Sequence, residues 1–152
     1  SEADVVMEAE LRNQQGTEEL WVNIIAREPR SLGRESGWDN EPLWGAAAQL
    51  DYPIDQLRFI RMALTDGPKA AALLGEREGR IYWYHGDMSI PAGATRFTLM
   101  TLRFERINPQ DFASIRFGFV PRHVTLRGTA NQRVLGKWSA GEVRFERQGD
   151  AP

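Results

Sequence analysis

The chain of 152 residues contains no cysteine, two lysines and two histidines, and no apolar run approaches the roughly 18 residues that a bilayer-spanning helix needs. Without cysteine there is no disulfide framework, no thiolate nucleophile and no cysteine metal site. A metal site would have to combine both histidines, His85 and His123, with carboxylates such as Asp87, and nothing in the spacing places them together, so no metal site is expected. A P-loop, a Gly-x-Gly-x-x-Gly turn, a Gly-x-Ser-x-Gly elbow and a His-Glu-x-x-His pair are all missing. Those absences remove the commonest phosphate, dinucleotide, acyl-transfer and zinc-hydrolase designs, and no cofactor is expected.

Apolar residues make up 41% and charged residues 26%, which is the balance of one globular domain able to bury about two thirds of its unfolded surface. We therefore read residues 1–152 as a single β-rich domain. The scarcity of lysine leaves 17 arginines among the 19 basic side chains, spread along the chain rather than clustered. Residues 1–56 carry 12 acidic and 4 basic side chains, and residues 57–152 carry 9 and 15. Oppositely charged halves of one domain are expected to meet as surface neighbours.

From Ala3 to Asn13 apolar Val5, Met7, Ala9 and Leu11 alternate with charged residues, and Leu20 to Arg27 alternates again after the turn-like "NQQGTEE". The two segments read as an antiparallel hairpin. Residues 28–53 hold three prolines and three glycines and break the pattern. This is expected to be a long loop with a short helix near 43–50. Residues 54–64 fit either a helix begun by Pro53 or a strand over 57–64, with the strand favoured, and 69–76 give no decision. "RIYWYH" at 80–85, "TRFTLMTLRFERI" at 95–107 and the short runs beyond Ser114 are strands separated by turn residues. Short strands at this spacing imply a mainly β fold, an antiparallel sandwich or small barrel with one or two short helices, the alternative being α+β.

An aliphatic-Arg-Phe triplet occurs four times: Leu57-Arg58-Phe59, Leu102-Arg103-Phe104, Ile115-Arg116-Phe117 and Val143-Arg144-Phe145. In a strand neighbours point to opposite faces, so each triplet places two apolar residues inward and one arginine toward solvent. Glutamates beside these arginines, Glu105 and Glu146, would form cross-strand ion pairs. A nucleic-acid platform needs aromatics and arginines exposed together under net positive charge, and the formal charge is −2. No nucleic-acid partner is expected.

Two clusters could carry chemistry. "WDNEPLW" puts Trp38, Asp39, Asn40, Glu41 and Trp44 in the long loop, where stacking rings and short polar groups suit a partner or a sugar. "YWYHGD" adds Tyr82, Tyr84, His85 and Asp87, with Tyr82 and Tyr84 on one face and Ile81 and Trp83 on the other. The function expected is a non-catalytic binding or assembly module of the bacterial cell envelope that engages a protein partner. A carbohydrate-binding module on Trp38, Trp44, Tyr82 and Tyr84 is the first alternative. A small hydrolase on Asp39, Glu41, His85 and Asp87 is the second. The start at Ser1 is compatible with an export signal already removed, so a periplasmic or exported location is expected, a cytoplasmic one being the alternative.

Overall fold

The structure, a computed structural model, describes residues 2–27, 43–63, 70–86, 96–119, 125–128, 135–139 and 141–145. These form twelve strands: β1 (Glu2–Gln14), β2 (Thr17–Arg27), β3 (Leu43–Asp51), β4 (Leu57–Ala63), β5 (Ala70–Arg77), β6 (Arg80–Gly86), β7 (Arg96–Arg106), β8 (Ile115–Arg116), β9 (Gly118–Phe119), β10 (Thr125–Gly128), β11 (Leu135–Ser139) and β12 (Glu142–Val143). One sheet runs β11-β1-β2-β7-β4; the other runs β10-β3-β6-β5, with β9 also on β3. β8 and β12 make a separate two-stranded ribbon.

The expected hairpin of β1 and β2 closes through Gln15 and Gly16, both at positive φ (52° and 84°), the two-residue turn whose twist suits adjoining strands. β5 and β6 close the same way through Glu78 (φ 48°) and Gly79 (φ 85°). Pairing is antiparallel as expected, with one exception: β1 runs parallel to β11, Val5 opposite Trp138.

No helix occurs among the described residues. The helix expected at 43–50 is a strand, because β3 lies inside its sheet between β6 on one side and β10 and β9 on the other. Its Ala46-Ala47-Ala48 run favours a helix in isolation, but ladder pairing on both edges and burial of Ala46, Ala48 and Leu50 override that preference. Pro53 begins a turn, with the Gln56 and Leu57 amides donating to its carbonyl at 3.2 and 3.0 Å, and 57–63 is a strand. Residues 70–76 of the undecided segment belong to β5, and Lys69 lies outside the described residues. Residues 28–42 of the expected loop lie outside the described residues.

The inner faces meet in a core built from Leu20, Val22, Ile24, Leu102 and Phe104 on one side and Leu50, Ile81 and Trp83 on the other, all fully buried. Each such side chain contributes about 1.5–3 kcal/mol when taken from water. The Arg-Phe triplets explain one end of this core. Phe104 touches both Phe59 and Phe117, each at a ring separation of 5.6 Å, and Tyr52 at 5.1 Å. Phe145, from the fourth triplet, lies under the Arg106 guanidinium, 4.0 Å from its ring centre. The repeated motif thus supplies the aromatic packing between strands from distant parts of the chain.

The arginines divide. Arg58, Arg116 and Arg144 are exposed, as expected, and Arg58 pairs across the strands with Glu105. Glu146 lies outside the described residues. Arg103 departs from expectation: its side chain is only 10% exposed. It leaves the sheet on the face opposite Phe104, and there Glu19 grips it through two bonds of 2.6 and 2.7 Å while Trp21 lies beneath it at 4.8 Å. Arg12 covers the same tryptophan at 4.1 Å. Among the described residues, Trp21 and Arg12 are the side chains stacked around this ion pair. The charge halves do meet: Glu8 with Arg96, Glu18 with Arg106, Glu19 with Arg103 and Asp51 with Arg80.

Candidate functional site

The two sheets present outer faces of different chemistry. On the face of β1, β2, β7 and β4, the charged groups largely satisfy one another: Glu10 with Arg12, Glu8 with Arg96, Glu19 with Arg103, Glu105 with Arg58, and Thr101 donating to Asn23 at 2.6 Å. Bringing a partner onto that surface would require desolvating ions that are already paired.

Among the described residues, the outer face of β3, β6 and β5 is less charged. Its rows follow from the register: Ala47 opposite Tyr84, Gln49 opposite Tyr82 and Asp51 opposite Arg80 across β3 and β6, with Gly75 opposite Tyr82 and Arg77 opposite Arg80 across β6 and β5. Tyr82 and Tyr84 are half-buried on this face, and Ile81, Trp83 and His85 are buried on the other, the alternation expected for the strand. Gly75 has no side chain to lift the Tyr82 ring, whose Cδ2 lies 4.0 Å from where a Cβ would stand. Gln49 is buried and donates through Nε2 to Asp51 Oδ1 at 2.9 Å, which ties the carboxylate down beside the tyrosines. At the hairpin end, Arg77, Glu78, Arg80 and Tyr82 line a cleft of ≈ 460 Å³.

Tyr52 fixes the hairpin in place. Its amide donates to the Gly79 carbonyl at 2.8 Å and its hydroxyl donates to Glu76. Burial, reinforced by the Glu76 carboxylate, holds the Tyr52 phenol well above its ordinary value, so it stays a donor.

The sequence clusters do not assemble as one site. His85 is 2% exposed, separated by the sheet from Tyr82 and Tyr84, with Nδ1 donating to the Leu99 carbonyl at 2.6 Å and Phe97 beside it at 6.2 Å. Its Nε2 has no hydrogen-bond partner among the described residues. Burial pushes its pKa below the ordinary value, and the bond to Leu99 opposes this only in part. His85 is therefore a core residue and does not stand at the edge of the tyrosine surface as an acid-base group. Trp38, Asp39, Asn40, Glu41 and Asp87 lie outside the described residues; Trp44 belongs to β3, its side chain likewise outside them. Arg77, Arg80 and Gln49 were not singled out in the sequence, although the Glu78-Gly79 pair between alternating runs was the available sign of a hairpin. Among the described residues no three His, Asp or Glu side chains converge on a point where a metal could sit.

No protein-family model matches this sequence, and no curated protein matches it. Solved structures do resemble it. The sixth cohesin of Acetivibrio cellulolyticus scaffoldin B, in complex with a dockerin, superimposes with a TM-score of 0.72 over 96% of this chain and 100% of that one, at 14% identity. A Clostridium thermocellum type I cohesin in complex with a dockerin gives 0.66 over 95% and 99%, at 12% identity. A non-cellulosomal cohesin from the archaeon Archaeoglobus fulgidus gives 0.66 over 99% and 95%, at 10% identity. At these identities the likeness is one of fold: this chain is a β-sandwich of the cohesin type of architecture.

Proposed function

We propose that this chain is a non-catalytic binding module that holds a protein partner on the outer face of β3, β6 and β5. The observation that carries the reading is the composition of that face among the described residues: two half-buried tyrosines and an alanine on the inner strands β6 and β3, a glycine on the edge strand β5, and charge at one end. Tyrosine enriches the centre of protein interfaces, where it supplies large contact area at little cost in side-chain freedom, and charged residues are depleted there. The cohesins of Acetivibrio cellulolyticus and Clostridium thermocellum, each solved with a dockerin bound, support the use of such a sandwich for gripping another protein. We place that assembly in the bacterial cell envelope, a location with which the cysteine-free composition is compatible.

The test is site-specific photo-cross-linking in the source cells, with the reactive group at position 84 or, as a control on the opposite face, at position 10. A discrete protein captured from position 84 alone, and bound by the purified chain afterwards, is the expected result. Capture from position 10 alone would move the interface to the other sheet.

A further inference from the structure

Two arginines face each other beside the β5–β6 turn, held there by little more than one long ion pair, that of Arg80 with Asp51. Arg77 and Arg80 are direct cross-strand partners, and like charges so placed repel. Both are exposed, and the turn between them is set by the positive φ values of Glu78 and Gly79, not by its flanking residues. Neither charge is well neutralised. The nearest carboxylate to Arg80 is Asp51, 3.8 Å from Nε and already bonded to Gln49; the Arg77 guanidinium has no ion pair or hydrogen bond among the described residues. The cleft they line has two guanidiniums to one carboxylate, Glu78, and the Tyr82 ring forms its wall. Tyr52 holds the hairpin at its backbone and through Glu76, so the two guanidiniums are presented on a fixed support.

We infer that this cleft receives an acidic segment of the protein partner, the guanidiniums binding Asp or Glu carboxylates as it docks on the neighbouring tyrosines. The inference rests on the reading of the tyrosine face as a protein-binding surface and adds the chemistry of what binds. A guanidinium fork matches a carboxylate bidentately, and two forks held side by side favour consecutive acidic residues over an isolated one. The local repulsion disappears when a carboxylate lies between them.

The experiment is fluorescence anisotropy of the full chain with labelled octaglutamate, octalysine and octathymidylate at low and high salt. Octaglutamate is expected to bind, and to bind about tenfold more weakly to the Arg77→Gln, Arg80→Gln double variant and at high salt. Arg58→Gln on the opposite sheet should leave octaglutamate binding nearly unchanged, and the double variant should melt no lower than the parent. Absence of octaglutamate binding, its persistence in the double variant, or equal binding of octathymidylate through the same arginines would overturn the inference. The two readings fail separately. A partner captured from position 84 that is indifferent to the double variant removes the acidic-segment inference and leaves the face standing. Octaglutamate binding with no capture from position 84 removes the face and leaves the preference of the cleft for carboxylates.

Discussion

Replacing the arginine of each triplet with alanine should split four residues of like sequence context into two classes. Arg103 is the outlier. With it removed, the Glu19 carboxylate, 8% exposed, keeps among the described residues only the Trp21 indole N–H at 3.1 Å as a side-chain donor and loses both guanidinium bonds. Breaking a buried pair from one side costs about 3–5 kcal/mol, because the remaining charge stays desolvated and uncompensated. Arg103→Ala should therefore lower the melting temperature by roughly 10 °C in a chain of this size. Arg58 pairs with Glu105 at the surface, its own side chain 63% exposed, so Arg58→Ala should cost less than about 1 kcal/mol. Arg116 and Arg144, exposed at 81% and 83% with Glu142 no closer than 3.6 Å, should cost nothing resolvable.

Urea denaturation of the four variants, followed by tryptophan fluorescence and extrapolated linearly, measures these differences. A companion pair separates charge from packing: Glu19→Leu with Arg103→Met should regain most of the stability that Arg103→Ala loses, since an apolar pair of similar size leaves no orphaned ion. If Arg103→Ala falls within about 0.5 kcal/mol of the parent, the side-chain roof of Trp21 and Arg12 does not exclude water and the burial argument fails.

His85 gives a pH dependence of defined sign. Its folded-state pKa lies below the ordinary 6.5, chiefly from burial, so the unfolded chain takes up a proton that the folded chain refuses. The stability it contributes is complete above that ordinary value and is lost as pH falls through it toward the folded value. The melting temperature of the parent should drop more than that of His85→Asn between about pH 7.5 and about pH 5.5, and parallel curves would refute this. Gly79→Ala should destabilise by more than about 1 kcal/mol, because φ is +85° and the new Cβ would lie 2.8 Å from the Tyr52 carbonyl oxygen; an unchanged melting curve would contradict the hairpin anchor.

What was legible in the sequence was period and polarity. The alternation of Val5, Met7 and Ala9 with Glu8 and Glu10, and of Ile81 and Trp83 with Tyr82 and Tyr84, identified strands and the face each residue takes, since a strand has only two faces. The Ala46-Ala47-Ala48 run misled because intrinsic preference is a weak influence beside pairing on both strand edges. The parallel join of β1 to β11 left no local trace, being a contact between residues more than a hundred apart. Burial of Arg103 was illegible for the same reason: alternation assigns a face, but only the partner strands reveal that Glu19 and Trp21 occupy that face beside it. In the site, Tyr82 and Tyr84 could be read from their own strand, whereas Arg77 and Arg80 became neighbours only once β5 was recognised.

The central claim, that protein binding resides on the β3-β6-β5 face, is tested most directly by calorimetric titration of the partner captured from position 84 into Tyr84→Asp and Glu10→Lys. A charge at the centre of a tyrosine-rich interface should weaken binding by about a hundredfold or more, while the change on the opposite sheet leaves the affinity unaltered. Loss of affinity in Glu10→Lys with Tyr84→Asp unaffected would contradict the account.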